Sequence, residues 1–135
     1  MINEIHYKIA GIIIKNRKLL MCRKYNEPHF IMPGGKMKEG ETKQETLKRE
    51  LKEELGIELI SMKKFKIWEA VHFNNNDKIV KMETYFVEFI GEPKAKKEIN
   101  EIMWIDSNYA KNGLKLASIN QDYLIPELKK LNLIN

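Results

Sequence analysis

The stretch from Thr42 to Gly56 constrains this chain more than any other, because it specifies a helix, both of its ends and the chemistry of one face. Thr42 is suited to the N-cap, and Glu45 three residues later completes the pattern of a capping box. Leu47, Leu51 and Leu55 recur every four residues and give a narrow apolar stripe that must find a core. Gly56 is a natural stop at the other end. Glu50, Glu53 and Glu54 stand at i, i+3 and i+4, positions that share one face of a helix. Three carboxylates so close repel one another, and a hard divalent cation is their natural counter-charge. Taken alone, the plainer reading of those three residues is a solvated acidic face relieved by Lys48 and Lys52.

The rest of the chain supplies strands for that helix to pack on. Tyr7 to Ile14 is rich in isoleucine and reads as a buried strand. Lys15 to Lys18 forms a polar turn, and Leu19 to Arg23 returns as the second arm of a hairpin. Phe30-Ile31-Met32 is predicted as a short third strand, ended by Pro33-Gly34-Gly35. Two long strand-like segments follow near Ser61 to Phe73 and Lys78 to Ile90, with Asn74-Asn75-Asn76-Asp77 as the loop between them. Ile102 to Ile105 predicts one more strand. Gln121 to Leu131 predicts a closing helix, with Pro126 setting its start. With 135 residues, no repeat and no linker, the chain reads as one domain over 1–135, of mixed α/β class with helices packed on a sheet.

Charge and cysteine content narrow the function classes. The net charge of +5 favours anionic partners, but the lysines are spread along the chain. No block of basic residues marks a nucleic-acid-binding tract. Cys22 is a lone cysteine, which reads as a buried structural thiol. The N-terminus lacks the shape of a signal peptide, and the longest apolar run, Ile9 to Ile14, is too short to cross a membrane. The expectation is a soluble, cytoplasmic protein.

The surroundings of the acidic helix decide between metal site and solvated face. Gly35, Glu41, Arg49, Glu50, Glu53, Glu54 and Gly56 stand at fixed spacings, with apolar Leu51 and Ile57 at the two apolar positions of the pattern. Seven such identities coincide by chance on the order of once in 10⁸ starts. The pattern resembles the Nudix box at each defining position, and with it the Nudix hydrolase family, whose fold is an α/β/α sandwich with a mixed β-sheet. The resemblance implies an enzyme that holds Mg²⁺, with Mn²⁺ as a substitute, and cuts a phosphoric anhydride bond. It assigns Glu53 and Glu54 as main metal ligands, with Glu50 and Gly35 beside them. Glu53 is the candidate base, and Glu98 or Glu101 outside the box is the alternative. Arg49 carries a guanidinium that forks onto carboxylates and would orient a catalytic glutamate, while Glu41 braces the loop.

The short chain and the segment Phe30 to Lys36 resemble the MutT-like branch most. That branch implies hydrolysis of a nucleoside triphosphate, such as 8-oxo-dGTP, to the monophosphate and pyrophosphate. ADP-ribose, a nucleotide sugar or a dinucleoside polyphosphate is the alternative substrate, and a non-catalytic nucleotide-binding module is the more distant one. Arg23 and Lys36 flank the loop and are candidates to meet phosphate. Phe30, with Trp68, Phe73, Tyr85 and Trp104, is a candidate wall for a stacked base. Asn120, with Gln121 and Asp122 next to it, occupies the neighbourhood from which MutT-like enzymes read a purine. A homodimer stays open.

Overall fold

The computed structural model describes residues 4–72 and 75–135. Along the chain run β1 (Glu4–Ile12), β2 (Ile14–Lys15), β3 (Lys18–Lys24), β4 (Gly34–Gly35), α1 (Lys43–Leu55), β5 (Glu58–His72), β6 (Asn75–Ile90), β7 (Ile99–Ile105) and α2 (Ile125–Lys130). One sheet has the order β4-β1-β6-β5 and the other β2-β3-β7. The first is mixed, since β1 runs parallel to β6 while β4–β1 and β5–β6 are antiparallel.

The isoleucine run works because β1 is covered on both sides. Ile9 and Ile13 pack with Leu47, Leu51 and Leu55 of α1, whereas Ala10 and Ile12 pack with Leu124, Ile125 and Leu128 near the chain end. A strand buried on both faces reads as continuous apolar sequence rather than as an alternation. The helices therefore lie on opposite faces, and the architecture is an α/β/α sandwich. The three α1 leucines are fully buried, each contributing about 1.5–3 kcal/mol relative to exposure. Both ends of α1 form as the sequence predicts. Glu45 N donates to Thr42 Oγ1 at 3.1 Å and Thr42 N donates to Glu45 Oε1 at 3.0 Å, while Gly56 takes the left-handed conformation with φ of 69°.

Three local expectations are corrected. Phe30 and Ile31 make only isolated bridges, to Leu116 and Cys22, and the strand falls instead on Gly34–Gly35. Pro33 has no N–H to extend a ladder from Met32, and the glycines approach β1 more closely than a side chain permits: a Cβ on Gly34 would sit 2.0 Å from Ile9 O. Asn75, Asn76 and Asp77 fall within β6: Asn75 pairs with His72 of β5, whereas Asn76 and Asp77 lie in a shift of register, where Asp77 N donates to Asn75 Oδ1 at 2.9 Å; Phe73 and Asn74 lie outside the described residues. The last helix is already helical at residue 118, and a π-type turn over Asn120–Leu124 precedes α2, which places Pro126 in the first turn of α2. Cys22 is buried, and burial pushes its thiol up to about 12, which suits an inert core thiol. Among the described residues no helix is long and apolar enough to cross a membrane.

Candidate active site

Three carboxylates converge where α1 meets two loops. Glu50 and Glu54 lie one turn apart on α1, and Glu98 comes from the segment before β7; one oxygen of each lies within 4.8 Å of the others. Main-chain hydrogen bonds place Glu98. Lys94 N donates to Leu55 O and Lys96 N to Glu54 O, both at 3.0 Å, so the segment caps the last turn of α1, and Tyr25 N donates to Glu98 O. A set of hard oxygen donors at this spacing fits a divalent cation.

Each carboxylate is held differently. Glu54 is 1% exposed and accepts Gly34 N at 2.8 Å. Burial raises its pKa to about 7, against the pull of Lys8 and of the Gly34 N–H. Glu50 lies against Gly35, where a Cβ would come 2.6 Å from its carboxyl carbon, so only glycine leaves room for it. Arg49 Nη1 donates to Glu50 Oε1 at 2.6 Å. The same guanidinium forks onto Glu41 through Nε (2.7 Å) and Nη2 (2.9 Å) and reaches Lys36 O at 3.2 Å. Arg49 thus ties the loop before α1 to Glu50. Its bonds hold Glu41 well below the usual carboxylate range, at about 2.

The cluster opens on a cavity of about 420 Å³. Its floor includes His6 and Lys8 of β1 beside their register partners Val80 and Met82 of β6. Asn120 joins the lining from the start of the last helix, and Ser118 Oγ, donating to Val71 O at 3.0 Å, ties that helix to the end of β5. Asn120 is 1% exposed, and its side-chain oxygen meets no donor among the described residues.

The NUDIX domain model matches residues 6–128. This chain belongs to the Nudix family. It is 39% identical over 108 residues to an 8-oxo-dGTP diphosphatase of Haemophilus influenzae, covering 75% of this chain and 76% of that protein. It is 31% identical over 125 residues to an ADP-ribose pyrophosphatase of Methanocaldococcus jannaschii, covering 86% and 71%. Among solved structures, a MutT protein of Methanosarcina mazei superposes with a TM-score of 0.72 over 96% of each chain at 21% identity. A MutT protein of Bacillus halodurans superposes at 0.67 with 26% identity, over 86% of this chain and 77% of that one. The protein is a MutT-like Nudix hydrolase, an enzyme of phosphoric anhydride bonds.

Against that identity, the residues singled out from the sequence divide into two groups. The Nudix cavity takes in Gly35, Lys36, Glu50, Glu54, Glu98 and Asn120. Glu53 stands outside the close cluster, half-exposed, with Arg49 Nη1 at 3.7 Å and Lys97 Nζ at 3.8 Å. Arg23 and Glu101 face each other across β3 and β7 and form an ion pair at 2.9 Å away from the cavity, and the neighbouring Lys24 lines it instead. Phe30 is a core residue at 3% exposure. Trp68 packs beside the same core, and Tyr85 and Trp104 belong to the core under α1. Among the described residues the rings that line the cavity are imidazoles, those of His6, His29 and His72, and His6 stacks on His72 at 6.1 Å.

Of the cavity's lining, the sequence passes over Lys8 and offers His72 only as a polar edge residue and His6 as one without an evident partner. Lys8 carried a readable signal, a lysine inside an isoleucine-rich strand. The histidines carried none, since only the pairing of β1 with β6, and of β6 with β5, brings them together.

Proposed function

We propose that this Nudix hydrolase cleaves a nucleoside triphosphate to the nucleoside monophosphate and pyrophosphate, with Mg²⁺ as cofactor and Mn²⁺ as a substitute. The observation that carries the reading is one cavity lined both by the Glu50–Glu54–Glu98 cluster and by the buried amide of Asn120. Such a cavity suits a molecule with a charged phosphate chain and a flat polar base.

Glu50, Glu54 and Glu98 would hold the divalent ion, with Glu53 and Gly35 at its margin. When bound, the ion neutralises phosphate charge and makes a water more acidic. The chain's own groups do the rest. A carboxylate takes a proton from the attacking water, the water oxygen bonds to phosphorus, and the bridging P–O bond breaks to release pyrophosphate. Glu53 and Glu98 are the candidates for that proton acceptor. Arg49 fixes the direction of Glu50, and Lys24 and Lys36 offer cations to the phosphate chain. Asn120 offers both a donor and an acceptor to the base. An oxidised purine nucleotide such as 8-oxo-dGTP is the leading candidate, supported by the Haemophilus relative. We place the reaction in the cytoplasm, where nucleotides are made.

The archaeal relative supports a second reading, in which ADP-ribose or a related dinucleotide occupies the same cavity. A substrate panel with Mg²⁺ separates the two, with products resolved by chromatography. Pyrophosphate and monophosphate from a triphosphate, at the highest kcat/KM, is the expected result. Preference for ADP-ribose, a nucleotide sugar or a dinucleoside polyphosphate would replace the substrate and keep the site. Cation binding without turnover of any of them would make the protein a binding module.

A further inference from the structure

Lys8 is the residue in the cavity with the least conventional placement. It sits at the middle of β1 among side chains that form the core, at 9% exposure. Its Nζ donates to Met32 O at 2.5 Å, and among the described residues no carboxylate oxygen comes within ion-pair distance. A lysine nitrogen carries three donors and no acceptor. Burying one whose hydrogen bond goes to a neutral carbonyl, with Glu54 and Glu50 acting on it only from beyond ion-pair distance, is costly, and a methionine of similar length would cost less. The position therefore works against stability, and what recommends it is the cavity that Lys8 lines.

The surroundings indicate which part of a nucleotide Lys8 meets. Its register partner on β6 is Met82, and Val80 and Ile31 line the same cavity. Apolar side chains of this kind suit the face of a base and not a phosphate chain. The phosphate chain has other cations: Lys24 and Lys36 also line the cavity, and both are exposed and able to swing toward it. Lys8 cannot swing, because it is buried and bonded to the main chain.

Asn120 by itself does not discriminate between bases. Its amide can turn over to present either a donor or an acceptor to the same atom. The Lys8 ammonium can only donate. We infer that Lys8 is a specificity-determining residue that donates to a carbonyl oxygen on the base, so that the cavity accepts oxo bases (hypoxanthine, guanine, uracil) and disfavours their amino counterparts, adenine and cytosine. An amino group in that place would set donor against donor in a buried site, the kind of mismatch that such sites reject strongly. The inference rests on the reading of the cavity as a nucleotide site and names the class of base that it takes.

The test uses equilibrium binding of nucleoside monophosphates, so it does not depend on which phosphate bond is cut. Inosine and adenosine monophosphates differ at the 6-position in the required sense, as uridine and cytidine monophosphates do at the 4-position. Titration calorimetry on the wild type is expected to give at least about tenfold tighter binding of the oxo member of each pair. Lys8→Met is expected to bring the ratio to within about twofold, and Lys8→Gln, whose amide adapts, to do the same. Melting of Lys8→Met at or above the wild-type temperature would show that the fold is intact. An unchanged ratio in both variants overturns the inference. So does an equal loss for both members of each pair, which would move Lys8 to the phosphate, and so does a wild type with no preference. Failure of triphosphate hydrolysis with the binding ratio intact would strike the proposed reaction and leave Lys8 in its role.

Discussion

Among the described residues two glutamates are buried, and their surroundings differ. Glu83 lies at the middle of β6, on the side of the sheet that faces α1, and is fully buried. Burial alone would raise its pKa, but Tyr7, Tyr85 and Lys43 all donate to its carboxylate and hold it at about 2. Glu54 is almost as deeply buried, yet it accepts one hydrogen bond, from Gly34 N, and rises to about 7. Neither residue reaches solvent, and it is the three donors on Glu83, one of them the Lys43 ammonium, that turn its shift downward. Glu83 is a completed polar network, which fastens the first turn of α1 to the sheet. Glu54 is an incomplete one, and a cation would complete it. A deficit of this kind in a low-dielectric site is a common mark of function.

Neutralising each carboxylate in turn should separate the two most widely. Glu54→Gln should lower kcat by about a thousandfold while the metal-free protein melts at the same or a higher temperature at pH 8. A variant that is active, or that melts well below the wild type, would remove Glu54 from the site. Glu83→Leu should do the opposite: a loss of about 3 kcal/mol in denaturant titration, since three donors lose their acceptor, with kcat largely kept. Next in size is the choice of base. Of Glu53→Gln and Glu98→Gln, the one that removes the proton acceptor should lose about a hundredfold in kcat. Equal, small losses in both would send the search to Glu50.

The smallest effect is on stability against pH without metal. The Glu54 carboxyl is raised from its ordinary 4.5 to about 7, so its contribution to the fold is complete below 4.5 and is lost as pH rises through 7. The Glu83 carboxyl is lowered to about 2, so its contribution is complete above 4.5 and is lost as pH falls through 2. Melting curves in chelator should show the alkaline loss vanish in Glu54→Gln and the acid loss shrink in Glu83→Gln. Excess Mg²⁺ should oppose the alkaline loss in the wild type, because bound cation favours the ionised carboxylate.

Much of the site was legible because local chemistry determines it. Thr42, the leucine stripe and Gly56 fix α1, and the helix fixes where Glu50 and Glu54 point relative to each other. The Gly35–Glu50 contact was half legible: the glycine could be read, but not the carboxylate that requires it. Contacts across large sequence separations were out of reach. The partners of Glu83 come from β1, β6 and the first turn of α1, and nothing in their spacing joins them. Arg23 and Lys24 show the limit most plainly. Adjacent residues of one strand point to opposite faces, so a single step in register decides which of them meets the cavity and which meets Glu101. Phe30 read as a base wall because aromatic residues suit both roles, and the bridge to Leu116 settles it in the core.

The segment that carries Glu98 is moored to the end of α1 by Lys94 N to Leu55 O and Lys96 N to Glu54 O. Those moorings use main-chain atoms only, which every residue but proline can supply. The exposed side chains of Glu92, Lys94 and Ala95 are therefore free to drift over generations without shifting the third carboxylate of the cluster. A stretch of sequence that looks unconstrained is in this sense held by its main chain alone, and the carboxylate beside it keeps its place.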